Sequence, residues 1–317
     1  MAARVISEAE AAKYDRQIRL WGLDAQKRLQ ASTVLVVGMC GLGAEVCKNI
    51  ALAGIKQLTV MDNRCVTGEE YGAKFLLLPS DIGKNRAEAC VSRLKELNPM
   101  VEILSDVDSV DEKQDSYFAQ YDVVCLTGCI PHIMKRVSRI CHHHGVKFFC
   151  GDTWGYFGYF FTDFGSHPHQ YVEEETKKEE STLVKKEISF VSLTTALNFD
   201  LTKYKNVKRL PTLYFVLQVF LSFFESFGRY PYTTSHDDTE RLMSVKEDLF
   251  DQWKLDQSIL EDSFARHCKA ELSPVCAIVG GVLGQEIIKA VSGRGHPLDN
   301  FFFYNGIDGS GIVHQFN

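Results

Sequence analysis

The sequence predicts an α/β fold in which a mostly parallel sheet is doubly wound by helices, with antiparallel additions and a helical insertion. Three observations predict it. Short β-branched runs alternate with helical patterns from residue 33 onward, as in "TVLVV", "GLGAEVCKNIALAG" and "QLTVMD", and strands joined through helices run parallel. A glycine-bearing turn, "GMCGLG" at residues 38–43, sits between the first strand and the helix that follows it. The chain has 317 residues, 45% hydrophobic and 24% charged, long enough for one large α/β domain or two small ones.

Taken in order, Ser7 and Glu10 form a capping box, and Tyr14, Ile18 and Trp21 follow on one helical stripe, so a helix is expected over about residues 7–21. Strand 33–37, helix 42–53 closed by Gly54, strand 57–62, helix 83–97 stopped before Pro99 and strand 101–106 then make βαβαβ. "DVVCLTG" continues as a strand, "PHIMKRVSRICHHHG" as a helix between a proline and Gly145, and "VKFFCGD" as another strand.

The second half changes character. "GYFGYFFTDFG" is glycine- and aromatic-rich, like an antiparallel hairpin, whereas "EEETKKEESTLVKKE" is a charged run with almost no apolar content, and residues 171–187 read as a charged loop or linker. A helical insertion is expected over 200–270, with helices in "PTLYFVLQVFLSFFESFG", "HDDTERLMSVKEDLFDQWKL" and "SILEDSFARHC". A small-residue helix, "SPVCAIVGGVLGQEIIKAVSG", follows; its paired glycines are expected to pack closely on the sheet. The strands "FFFYN" and "GIVHQF" are expected to return to that sheet.

The formal charge of −6, from 35 basic and 41 acidic residues, argues against nucleic acid or an anionic membrane as partner. The N-terminus lacks the basic-then-apolar layout of a signal peptide, and cytosol or nucleus is the expected compartment. Ten cysteines include no C-x-x-C pair and read as reduced, buried small hydrophobes. In "CHHHG" consecutive side chains point about 100° apart on a helix, which suits a helix end better than a shared metal ion; no metal site is expected.

Two stretches carry chemistry. In a dinucleotide-type turn the first glycine makes the bend, the second lets backbone approach phosphate, and the third lets helix and strand pack. Gly38 and Gly43 keep the first and third roles, but Cys40 puts a Cβ and a sulfur in the second. Asp62, 19 residues after Gly43, has the spacing of an acid that holds a ribose hydroxyl. From these residues alone a working nucleotide turn and a purely structural one both stand. In "YDRQIRLWG", Arg16 and Arg19 share the helix face opposite Tyr14, Ile18 and Trp21; they read either as a functional pair or as a solvated basic face with Asp15 as surface partner.

"YDRQIRLWG", "GLGAEVCKNIALAGI", "SDIGKNRAEA", "LNPMVEI", "SPVCAIVGGVLGQEIIKA" and "NFFFYNG" together resemble, in order and over nearly the whole chain, the Rossmann-like, ThiF-type adenylation fold of the ubiquitin-like-protein activating enzymes. The wording and length look closest to the halves without a catalytic cysteine in the heterodimeric, SUMO-activating branch of that family. The resemblance implies a single pseudo-adenylation domain over 1–317. In the family's active halves an Asn-Leu-Asn-Arg-Gln run follows the ribose acid, a lysine follows a Gly-Lys turn, and a later aspartate binds magnesium. The run aligns here with Glu70, Tyr71, Gly72, Ala73 and Lys74, the lysine with Arg86, and the metal aspartate with Gly128 or Cys129.

The resemblance therefore implies that this chain binds no cofactor of its own and is silent alone. ATP and magnesium would belong to a large partner subunit that adenylates the SUMO C-terminus and forms the thioester. SUMO and its conjugating enzyme would be met through the complex, in the nucleus or also the cytoplasm. Arg16 matches the N-terminal arginine that reaches across the dimer to the partner's ATP phosphates. A self-sufficient adenylating homodimer and an NAD-dependent oxidoreductase are the alternatives.

Overall fold

The computed structural model describes residues 7–68, 75–177, 180–201, 204, 207–231, 236–268 and 270–316. Ser7 caps α1 (Glu8–Lys13) in the expected capping box, but the expected single helix is broken. Tyr14 leaves helical geometry between α1 and α2 (Asp15–Trp21). Its buried ring lies against Gly54, where a Cβ would come within 2.4 Å of it, and its hydroxyl accepts from Asn98 Nδ2 at 2.9 Å. Anchoring that side chain decides the break. A further helix, α3 (Leu23–Leu29), precedes the first strand.

The alternating series follows as β1 (Thr33–Val37), α4 (Gly41–Ala53), β2 (Gln57–Met61), α5 (Arg86–Leu97), β3 (Glu102–Asp106), α6 (Asp115–Ala119), β4 (Val123–Thr127), α7 (Pro131–His144) and β5 (Lys147–Trp154). Gly54 and Gly145 close α4 and α7 in left-handed geometry, where a Cβ is costly. β5 turns at Gly155 into β6 (Phe157–Asp163) and pairs with it antiparallel from Phe148↔Asp163 to Trp154↔Phe157. "GYFGYFFTDFG" thus supplies the turn and second strand of a hairpin whose first strand is β5.

The charged run expected as a loop or linker over 171–187 lies instead in a two-stranded ribbon, β7 (His169–Lys177) and β8 (Glu180–Ile188). Charge alternation holds it: Lys186 Nζ bridges Glu173 and Glu175 at 2.9 and 2.8 Å, and Gln170 donates to Glu187 at 2.9 Å. Such cross-strand pairs stabilise a ribbon without an apolar face. Val172 exchanges backbone hydrogen bonds with Gly293 and Gly295, which ties the ribbon to the end of a core helix.

Beyond it come α8 (Leu193–Leu197), α9 (Thr212–Phe227), α10 (His236–Trp253), the short α11 (Phe264–His267), α12 (Ser273–Ser292), β9 (Phe301–Asn305) and β10 (Ser310–His314). The helix expected in "SILEDSFARHC" is a 3-10 turn, Gln257–Ile259, followed by α11. The main sheet runs β10-β9-β6-β5-β4-β1-β2-β3, with β1 to β5 mutually parallel and the final pairings antiparallel.

Strand alternation feeds two cores. Leu35, Leu126, Phe148 and Phe161 face α7, α9 and α10; Val34, Val36, Val60 and Phe149 face α4, α5 and α12. β1 lies between β2 and β4, whose crossovers leave in opposite directions, and a doubly wound sheet opens its crevice at the carboxyl ends of those strands.

Candidate functional site

At that crevice the turn after β1 is built from backbone contacts that admit no side chain. Gly38 has φ +91°, and a Cβ on it would lie 1.9 Å from the Thr127 carbonyl oxygen. A Cβ on Gly43 would lie 2.1 Å from the Gly38 carbonyl and 2.7 Å from Thr127 Oγ1. The two glycines thus make the bend and the close helix–strand approach, as their spacing implied. Cys40 is the N-cap of α4, its Sγ accepting from the Gly43 N–H at 3.5 Å. The Gly41 N–H donates to Glu271 Oε1 at 2.6 Å. Helix N-termini attract anions because their first N–H groups lack intrahelical partners; here a carboxylate of the same chain takes that place.

The surrounding groups are acidic too. Asp152 accepts from the Thr153 N–H at 2.8 Å and the Trp154 indole at 3.1 Å. Burial, reinforced by the nearby charge of Glu271, still pushes its carboxyl up to about 7 against those bonds. Burial, with the charges of Glu271 and Asp152, pushes the Cys40 thiol up to about 12.

Asp62 is buried at the end of β2 and already engaged. It accepts from the Met39 N–H at 2.9 Å, the Arg64 N–H at 2.9 Å, Arg64 Nε at 2.9 Å and Arg64 Nη2 at 2.8 Å. Burial acts to raise its carboxyl, but the bonds and charge of Arg64 prevail and hold it below the ordinary range. Arg86, aligned with the family lysine, is buried; its Nε donates to the Cys65 carbonyl at 3.3 Å and its Nη1 lies 3.8 Å from Asp62.

Gly128 has φ +59°, and a Cβ there would sit 3.5 Å from Cys40 Sγ. Cys129 donates its thiol to the Thr127 carbonyl at 3.6 Å, and burial raises that thiol to about 12. Ala73 lies outside the described residues. What remains open is a cleft of about 250 Å³ lined by Gly38, Asp62, Arg64, Gly128, Cys129 and Ile133, among others, just below the range of small-molecule sites. The described residues do not fit a nucleoside triphosphate with magnesium: the helix terminus holds a carboxylate, Asp62 is ion-paired, and Gly128 offers no metal ligand.

The structure separates the two arginines of α2. Arg19 pairs with Asp15 one turn back, at 3.1 and 3.0 Å. Arg16 is exposed and, among the described residues, has no hydrogen-bond or ion-pair partner. Gln17 ties α2 to α4 through the Leu52 carbonyl at 3.2 Å. Two residues of the cradle escape sequence reasoning. Arg64, two positions after Asp62, carries a local signal as a ready partner for that acid. Glu271 carries none, being 230 residues from Gly41.

The ThiF family profile matches residues 14–317, and the chain belongs to that family. Within it, the relatives point to one protein. SUMO-activating enzyme subunit 1 of Danio rerio is 48% identical over 99% of this chain and 97% of its own length. The Homo sapiens protein of the same name is 45% identical over 97% and 95%. Among solved structures, Escherichia coli MccB superposes with a TM-score of 0.60 at 12% identity, over 96% of this chain and 71% of MccB, a likeness of fold.

Proposed function

We propose that this chain is the non-catalytic subunit of a heterodimeric SUMO-activating enzyme and completes the ATP site of a large partner subunit. That partner would bind ATP and magnesium, adenylate the SUMO C-terminus and form the thioester from which the SUMO-conjugating enzyme is loaded. The near full-length likeness to proteins named subunit 1 supports the assignment.

The observation that carries the silent half of the reading is the filled cradle, with Glu271 on the Gly41 N–H and Arg64 on Asp62. Phosphoryl chemistry needs cationic stabilisation of developing charge, and the cations of this cradle, Arg64 and Arg86, face Asp62. The contribution to catalysis is assigned to Arg16, an exposed guanidinium with no partner among the described residues to release. The nucleus, where the resemblance puts the complex, is the proposed compartment.

ATP–pyrophosphate exchange tests the reading. The isolated chain gives none, and Cys40→Gly does not restore it, because opening the loop adds no cation. Magnesium-dependent exchange by the chain alone would establish the self-sufficient adenylating homodimer instead, and tight NAD binding would establish the oxidoreductase.

A further inference from the structure

We propose that Glu271 is a built-in anion: its carboxylate holds the α4 N-terminus in place of a phosphate and excludes phosphate from this half of the enzyme. The inference rests on the reading of the cradle as degenerate and assigns a cause to it. Three independent features place the carboxylate there.

The first is the bond itself. Glu271 Oε1 meets the Gly41 N–H at 2.6 Å, at the first residue of α4, where the helix dipole and unpaired N–H groups favour negative charge. The other cap, Cys40 Sγ at 3.5 Å from the Gly43 nitrogen, belongs to a neutral thiol and is a weak acceptor. The charge at this terminus is therefore Glu271's.

The second is the backbone that delivers it. Gly155 at the β5–β6 turn donates its N–H to the Ala270 carbonyl at 2.8 Å, Tyr156 donates to the His267 carbonyl at 2.9 Å, and Gly155 pairs with Glu271 as an isolated parallel bridge. A Cβ on Gly155 would lie 1.9 Å from the His267 carbonyl oxygen. Ala270 itself adopts φ +66°, a left-handed conformation that a non-glycine residue keeps only when its surroundings fix it. The residue before Glu271 is thus fixed by the same sheet that carries the cradle.

The third is the coupling of α12 to α4. Glu271 immediately precedes the N-cap of α12, and Asn49 of α4 donates to the Gly280 carbonyl of α12 at 3.1 Å. The helix that owns the anion site and the helix that follows the anion are locked in one register. A phosphate entering the cradle must displace the carboxylate from the Gly41 N–H, beside Asp152, whose carboxyl feels the Glu271 charge.

The test is thermal unfolding of the full-length chain, co-purified with its large subunit, in nucleotide-free buffer with inorganic phosphate or chloride at matched ionic strength. Glu271→Ala lowers the midpoint of this chain's transition by about 2–4 °C. Millimolar phosphate recovers most of that loss, because an anion bound to the native state alone stabilises it by mass action. The wild type, whose cradle is filled, shows no such recovery and corrects for phosphate bound in the partner's site. Glu271→Gln keeps an acceptor without the charge and falls between the two.

Glu271→Ala melting like the wild type, Glu271→Gln melting like the wild type, or phosphate acting equally on wild type and Glu271→Ala would each overturn the proposal. These outcomes are separable from failure of the functional reading, which exchange or NAD binding by the isolated chain decides.

Discussion

At the scale of single residues, Arg16 is exposed and the Asp152 carboxyl is pushed up by burial. Because Arg16 has no ion pair to break among the described residues, its charge is available to a partner at little cost. Arg16→Ala in the purified heterodimer should slow SUMO-dependent ATP–pyrophosphate exchange by about 10- to 10³-fold, or about 1.4–4 kcal/mol, less than a lone trans arginine because the partner keeps its own cations. Arg16→Lys should recover only part, since an ammonium lacks the planar fork. Arg19→Ala should change little, its guanidinium being paired with Asp15 on the surface. Unchanged exchange in Arg16→Ala, with dimer mass intact, would return Arg16 to a solvated face.

Asp152 makes a pH prediction with a definite sign. Its carboxyl is raised to about 7 in the fold, against about 3.9 unfolded, so the native state holds the proton more tightly. The associated stability is fully present below about pH 4 and is lost as pH rises through about 7, an effect of about 4 kcal/mol. Asp152→Asn should flatten the dependence of unfolding free energy on pH over that window. It keeps one acceptor for the two donors, Thr153 N–H and Trp154 Nε1, so the expected signature is the slope rather than a gain in absolute stability. An unchanged slope by denaturant titration would mean that Asp152 titrates normally.

At the scale of elements, α12 shows what a glycine pair does. The sequence led to the expectation of close packing on the sheet, but Gly280 packs on α4: a Cβ there would meet Glu45 Cβ at 2.6 Å, and one on Gly284, a turn later, would meet Asn49 Cβ at 2.8 Å. Gly281 has open space around it. Gly280→Ala should therefore cost about 1–3 kcal/mol by overpacking, while Gly281→Ala in the isolated chain should gain up to about 1 kcal/mol from helix propensity. Equal effects of the two substitutions on the unfolding midpoint would contradict this packing.

What was legible follows the range of the interaction. β1 at 33–37, the closing Gly54 and Gly145, and the N-cap Ser7 were read correctly because each is decided within a few residues. The break at Tyr14 depends on Asn98 and Gly54, and the β7–β8 ribbon on charges paired across strands. Low apolar content hid that ribbon, although Tyr171, Val172, Leu183 and Val184 bracket it with strand formers. In the cradle, Gly38 and Gly43 announced their backbone roles, whereas Glu271 arrives through tertiary contacts alone.

The whole molecule poses the question of why a subunit with a filled cradle keeps an adenylation fold. α2, α4 and α12 each leave an apolar side chain exposed: Leu20 on α2 at 73%, Leu52 on α4 at 44% and Ile278 on α12 at 43%. Gln17 ties α2 to α4, and Asn49 ties α4 to α12, which holds α2, and with it Arg16, against the body of the fold. Apolar area left wet favours association, and an obligate heterodimer interface is large and apolar. The isolated chain should therefore self-associate or bind a hydrophobic dye, and should form a complex of defined mass once the large subunit is added. Leu20→Asp combined with Leu52→Asp leaves the chain folded, since both positions are solvated in it, but buries two carboxylates on assembly, which is costly without partners. Affinity for the large subunit should fall at least about tenfold, or 1.4 kcal/mol, while the circular-dichroism spectrum and melting of the isolated variant stay as in the wild type. Wild-type affinity in the double variant would place the partner on another face, and with it would fall the argument that α2 delivers Arg16.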